Sequence, residues 1–136
     1  MVATDTSADA LAVARENAAR LGLDVEFQLA DLLARVPGPI DAVVSNPPYV
    51  EDGALLAPEI VRYEPALALR AGPDGLDVIG RLLPEVGATG ARVVALEIGQ
   101  GQADAVARGI RDAGFPDVQV VPDLAGIARV LVGRRA

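Results

Sequence analysis

Two prolines in a row, Pro47 and Pro48, stand just after the apolar run Ile40-Asp41-Ala42-Val43-Val44-Ser45. Such a run reads as a buried strand. The proline pair removes two backbone donors and fixes two φ angles, and Asn46 before it is pushed out of the helical region. The strand must therefore end here, in a stiff loop whose carbonyls have no local N–H to satisfy them. Asn46 adds a side-chain amide and Tyr49 a flat ring. One reading of Asn-Pro-Pro is a plain turn. The other is a rigid set of acceptors beside an aromatic face, at the carboxyl end of a strand, where open α/β sheets bind ligands. A planar NH2 group would donate to those acceptors and stack on the ring, and the attached aromatic favours this second reading.

The rest of the chain supplies the sheet that such a loop needs. Val2-Ala3-Thr4 reads as a strand end followed by Asp5, and Ser7 as the N-cap of a helix from Ala8 to Leu21, with Gly22 as its C-cap. Val25 to Leu29 alternates as a second strand and Asp31 follows it. A short helix is expected before the central strand ending at Ser45, so the order is β-α-β-(short helix)-β, with parallel strands. Residues 50–73 are rich in Pro and Ala with weak periodicity, and a loop of that length in a compact domain is usually functional. Asp77 to Val86 reads as a helix despite Pro84, Gly87 to Gly90 as a turn, Ala91 to Glu97 as a buried strand and Gln102 to Ala113 as a helix. Val118–Val121 and Ile127–Val132 are two strands with no helix between them, which predicts an antiparallel hairpin. No internal repeat or inter-domain linker is visible, so residues 1–136 are read as one domain.

Composition removes several classes of chemistry. The chain has no Cys and no His, so disulfides, thiolate metal sites and the commonest general base and metal ligand are excluded, and no metal is expected. Apolar residues make up 51% and mean hydropathy is +0.34, which fits a globular chain. No apolar run approaches the length of a membrane span. The opening residues carry no basic leader-like start, and the expectation is a cytoplasmic protein with no membrane association. Net charge is −7, carried against Arg alone without Lys. That balance lacks the footprint of a nucleic-acid binder, so no direct nucleic-acid binding is expected.

Asn46 to Tyr49 resembles the (Asp/Asn/Ser)-Pro-Pro-(Tyr/Phe) motif of amino methyltransferases that use S-adenosylmethionine (SAM). The surroundings narrow the resemblance. Val43 to Val50, Arg62-Tyr63-Glu64-Pro65, Leu67-Ala68-Leu69, Ala71-Gly72, Asp74-Gly75-Leu76-Asp77, Leu96-Glu97-Ile98-Gly99 and Asp123-Leu124-Ala125-Gly126 are similar to release-factor glutamine methyltransferases of the HemK/PrmC type, in the same order and spacing. The resemblance implies a Rossmann-like class I methyltransferase sheet ending in an antiparallel hairpin. It implies SAM as cofactor, peptide-chain release factors as partners, and N5-methylation of the glutamine in their Gly-Gly-Gln motif.

The resemblance also assigns residues. Asn46 and the Pro47 carbonyl would hold the acceptor NH2, Pro48 would stiffen the loop, Tyr49 would stack on the amide, and Asn46 also adjoins the cofactor. Asp5 would accept from the ribose hydroxyls, its alternative being a helix-start acid. Asp31 would accept from the adenine amino group and Leu32 would offer its N–H and an apolar wall, the alternative for Asp31 being a helix cap. Glu64 and Glu97 stay open between substrate contacts and a loop acid or helix-start acid. The family's first strand and Gly-rich cofactor loop have no counterpart here, since Gly99-Gln100-Gly101 lacks the third glycine and follows a later strand. The expectation is a truncated, partial methyltransferase domain in which the strands ending at Asp5 and Ser45 each lose a neighbour, and which is inactive alone. The alternatives are an amino methyltransferase acting on a base or a ribosomal protein, and a non-catalytic fragment or subunit completed by an N-terminal half.

Overall fold

The computed structural model describes residues 1–136, which divide into two compact units, 1–38 and 39–136. The first is a β-α-β unit. Strands β1 (Val2–Asp5) and β2 (Glu26–Leu29) pair in parallel, with Val2 opposite Glu26 and Asp5 opposite Leu29. Helix α1 (Ala8–Leu21) connects them and buries Leu11 and Ala18. These lie two turns apart on one face. The Ser7 hydroxyl caps α1 by accepting from the Ala10 N–H at 3.1 Å, and Gly22 closes it with φ of 66°, donating to the Ala18 and Ala19 carbonyls.

The second unit carries a four-stranded mixed sheet in the order β3-β4-β6-β5. Strands β3 (Ala42–Ser45) and β4 (Val93–Glu97) are parallel. The β5 (Asp117–Pro122) and β6 (Ala128–Arg134) strands form the expected antiparallel hairpin, and β6 pairs antiparallel with β4. Between β3 and β4 lie helices α2 (Pro58–Tyr63), α3 (Ala66–Leu69) and α4 (Asp77–Ala88), and α5 (Ala103–Asp112) joins β4 to β5. The core is built from Ile79, Leu82, Leu83 and Val86 of α4, Val94 and Leu96 of β4, Val106 and Ile110 of α5, and Phe115 and Leu131. Arg135 fastens the end of β6 by donating to the Ala91 carbonyl at 2.6 Å and to the Thr89 and Gly87 carbonyls, with its guanidinium over the Phe115 ring. No helix is long and apolar enough to cross a membrane.

Three expectations are corrected. β3 is buried on one face only: Val43 and Val44 point to opposite sides of the sheet, and Val43 is 7% exposed while Val44 is 80% exposed; its place at the edge of the sheet, paired with β4 alone, agrees with the expected loss of a neighbour. The expected short helix after β2 is a turn, in which Leu32 and Arg35 have φ of 50° and 67°. Left-handed residues cannot propagate a right-handed helix. Residues 50–73, in turn, contain two short helices and are pinned at the base, where the Val50 N–H donates to the Leu69 carbonyl and Ala71 N–H to that of Val50.

Candidate active site

β3 delivers Asn46, Pro47, Pro48 and Tyr49 at its carboxyl end, as the apolar run and the prolines require. Asn46 is exposed, Pro47 buried, and Pro48 and Tyr49 half-buried. The loop is anchored at Tyr49 by residues distant in the chain. The Tyr49 hydroxyl donates to Glu97 Oε1 at 2.9 Å, at the carboxyl end of neighbouring β4. Burial, and then the adjacent Glu97 carboxylate, push the Tyr49 phenol above its ordinary value, with Arg129 opposing. The neutral phenol is therefore the donor and Glu97 the acceptor, which fixes the ring. Arg129 reaches the same strand end by donating to the Ile98 carbonyl at 3.0 Å and pairing with Asp123 at 3.4 Å. Asp123 in turn accepts from the Ala125 and Ile127 N–H groups at 2.9 and 3.0 Å, which shapes the β5–β6 turn.

Gln102 was not among the residues singled out from sequence, and it is the hub of this region. It is 9% exposed. Its Oε1 accepts from the Gly99 N–H at 2.8 Å, and its Nε2 donates to the carbonyls of Tyr49, Asp74 and Gly75 at 3.0, 3.1 and 3.4 Å. One side chain thus joins the Asn46–Tyr49 loop, the Asp74-Gly75 turn and the end of β4. Gly75 has φ of 71°, and a Cβ there would overlap the Tyr49 carbonyl, so glycine is required for the approach. Arg70 supports the outer side of the loop through the Glu51, Asp52 and Ala54 carbonyls. Its place at the head of α5, just after a Gly-x-Gly turn, does not by itself set Gln102 apart from the neighbouring polar residues Gln100 and Asp104. Of the two acids left open, Glu97 meets Tyr49, whereas Glu64 is exposed at the end of α2.

In residues 1–38, Asp5 ends β1 and is exposed. Its Oδ1 accepts from the Ser7 N–H at 2.7 Å, so it serves the start of α1, and Oδ2 stands outside that bond. Asp31 is exposed just past β2, with its carbonyl accepting from the Ala34 N–H at 3.0 Å. Leu32 is half-buried, and its carbonyl accepts from the Thr4 hydroxyl at 2.7 Å. Gly99-Gln100-Gly101 forms the β4–α5 turn, with the Gly99 N–H committed to Gln102.

Comparison with known proteins places the chain among methyltransferases. Residues 1–71 match the family described as Methyltransferase small domain. The chain is 46% identical over 140 residues to the release factor glutamine methyltransferase of Cereibacter sphaeroides, covering 98% of this chain and 50% of the relative. The Deinococcus radiodurans protein of the same description is also 46% identical over 140 residues, covering 100% of this chain and 50% of its own length. The chain therefore spans about half the length of the curated relatives it matches. Among solved structures, the E. cuniculi Mtq2–Trm112 complex, responsible for methylation of the eRF1 translation termination factor, superposes with a TM-score of 0.60 at 19% identity, over 99% of this chain and 85% of that one. At that identity the likeness speaks for the class I methyltransferase fold alone. On the family match over residues 1–71 this chain belongs to the methyltransferase small domain family, and its sequence is similar to release factor glutamine methyltransferases.

Proposed function

We propose that this chain carries the acceptor-binding half of a SAM-dependent enzyme that methylates the N5 amide of the glutamine in the Gly-Gly-Gln motif of peptide-chain release factors. The observation that carries the reading is the Asn46–Tyr49 loop, stiffened by two prolines and tethered through Tyr49 to Glu97 and Gln102. A primary amide has two N–H bonds and a delocalised lone pair. The Asn46 side-chain oxygen and the Pro47 carbonyl accept from those two bonds, which raises electron density on nitrogen and fixes its direction. Tyr49 stacks on the amide plane. Aligned reactants held near contact distance can supply several kcal/mol, up to about 7–11, of a barrier. No side chain has to remove a proton before attack, which suits a chain without His.

The residues of the first unit fit the adenosine part of the cofactor. Asp5 offers its second carboxylate oxygen to a ribose, while Asp31 and Leu32 sit at the end of β2, the chemistry an adenine edge requires. SAM, when bound, supplies the electrophilic methyl group. The release factor as partner, and action in the cytoplasm where termination occurs, follow from the same reading.

The experiment is transfer of labelled methyl to a purified release factor. A fusion of this chain behind the N-terminal half of the Deinococcus radiodurans relative should transfer the label, and Asn46→Ala should lower transfer by about 100- to 1,000-fold. The 136 residues alone should transfer none. Label appearing on a nucleic acid or a ribosomal protein instead, with the release factor unmodified, would overturn the reading.

A further inference from the structure

We propose that Gln102 is the positioning residue of the acceptor loop, setting where Asn46 and Tyr49 stand at the end of the sheet. Its kinetic consequence rests on the methyl-transfer reading above; its structural consequence rests on geometry alone. Pro47 and Pro48 make the loop internally stiff, but they remove the N–H groups by which a loop is normally tied to its neighbours. Between Asn46 and Tyr49 the backbone is left to be tied largely through its carbonyls, and a carbonyl needs a donor brought from elsewhere. Gln102 is that donor: its Nε2 reaches the Tyr49 carbonyl at 3.0 Å. The same nitrogen donates to the Asp74 carbonyl at 3.1 Å and approaches that of Gly75 at 3.4 Å, while Oε1 is fixed by the Gly99 N–H at 2.8 Å. A planar amide with one acceptor end and one donor end satisfies this set, and no other uncharged side chain except Asn has it. Asn is shorter by one methylene.

The base of the side chain is rigid as well. Gln102 stands at the N-terminus of α5, its carbonyl accepting from the Val106 N–H at 3.0 Å, and the buried Val106, Ala107 and Ile110 seat that helix in the core. The loop is thereby referenced to β4 and α5 together. Tyr49 is held at both ends, its carbonyl by Gln102 and its hydroxyl by Glu97. Removing the first tie leaves Tyr49 held by its hydroxyl and by the bonds of neighbouring Val50, and loosens the reference that sets Asn46 and Tyr49 against β4 and α5. Glu at this position turns donors into acceptors. A carboxylate would face the Tyr49, Asp74 and Gly75 carbonyls and repel them, whereas a protonated carboxyl would restore one donor.

The test has two arms. In the fusion with the Deinococcus radiodurans half, Gln102→Leu should lower kcat about 100-fold, the scale of an ångström-sized misplacement, with KM for SAM changed by no more than about twofold. Gln102→Glu should regain rate as pH falls, a recovery that wild type lacks. In the 136-residue chain itself, hydrogen exchange at Gly99 and Val50 should accelerate about tenfold in Gln102→Leu while the β4–β6 ladder keeps its protection. Unchanged exchange at Gly99 and Val50, or an equal acceleration throughout the sheet, overturns the proposal. So does a rise in KM for SAM that matches the loss in kcat. If the wild-type fusion transfers nothing to a release factor, the functional reading falls, and the exchange arm still decides the role of Gln102.

Discussion

The acceptor loop and the acids of residues 1–38 are held in opposite ways. Tyr49 is bonded at its hydroxyl and its carbonyl, and the partner of that carbonyl, Gln102, is itself buried and fully engaged. Asp5 is an exposed carboxylate at a strand end, with one oxygen used to start α1. The Tyr49 side chain and carbonyl are fixed by bonds to residues 48 and 53 positions away, whereas the Asp5 carboxylate accepts from the N–H two residues on. A group that must direct an otherwise poor nucleophile needs its orientation set in advance. A group that accepts from ribose hydroxyls needs only to be at the right strand end with an oxygen to offer. The contrast implies that mutations in the loop should act on turnover, and mutations at the acids on cofactor affinity.

The strongest break in that comparison is Asn46→Ala. In the fusion it should reduce kcat by about 100- to 1,000-fold, the scale seen when one preorganised hydrogen-bonding group is removed from a reacting centre. SAM affinity should change far less. Steady-state kinetics with calorimetric SAM binding checks both halves, and near-normal turnover would sink the clamp assignment.

Asp5→Ala should give the mirror image, weakening SAM binding by about 1.5–3 kcal/mol, as expected for a hydrogen bond to a charged group. Because Asp5 also receives the Ser7 N–H, a control is needed. Ser7→Ala removes the cap on α1 and should cost about 0.5–2 kcal/mol of stability without a comparable loss of SAM affinity. Equal affinity losses in the two variants would mean that Asp5 acts only through the helix.

Gly75→Ala sharpens the comparison from a different side. It forces a Cβ onto the Tyr49 carbonyl at a residue with φ of 71°. Backbone strain of this kind costs on the order of 1–3 kcal/mol, measurable by denaturant unfolding. Turnover should fall with SAM affinity preserved, as for Gln102→Leu. A fully active Gly75→Ala would show that the close approach of the two loops is dispensable.

How much of this could be read from the chain obeys the same division. Helix α1, with Ser7 and Gly22 at its ends, and the final hairpin were legible because caps and alternation are local signals. The loop itself was legible because two prolines leave few alternatives. The exposed face of β3 was not, since an apolar run such as Val43-Val44 does not reveal which of its two faces is covered. The turn at residues 31–35 was missed because Leu32 and Arg35 adopt left-handed φ without being glycine. Gln102 was invisible for a further reason. Its importance lies in carbonyls at residues 49, 74 and 75, brought together only by the fold.

The smallest expected effects are in pH dependence, and they test whether the non-local bonding of the loop extends to the hairpin. Asp123 is held below its ordinary value, chiefly by the Ile127 N–H, then by that of Ala125 and by Arg129. A depressed carboxyl stabilises the fold above its unfolded value, near 3.8, and that contribution fades as pH falls through the lower folded value. Tyr49 has the opposite sign: raised above its ordinary 10.0, it favours the fold below that pH and loses its contribution as pH rises through the folded value. Asp123→Asn should therefore flatten the acid limb of the stability curve and leave the alkaline limb alone. Tyr49→Phe should flatten the alkaline limb and cost about 0.5–1.5 kcal/mol near neutrality through the lost bond to Glu97. Arg129 faces both groups, so Arg129→Gln should alter both limbs at once. Chemical denaturation followed down the acid limb and up the alkaline limb separates these cases. If Arg129→Gln moved the acid limb only, the salt bridge would belong to the hairpin turn alone, and the acceptor loop would be fixed by Gln102 and Glu97 without help from β6.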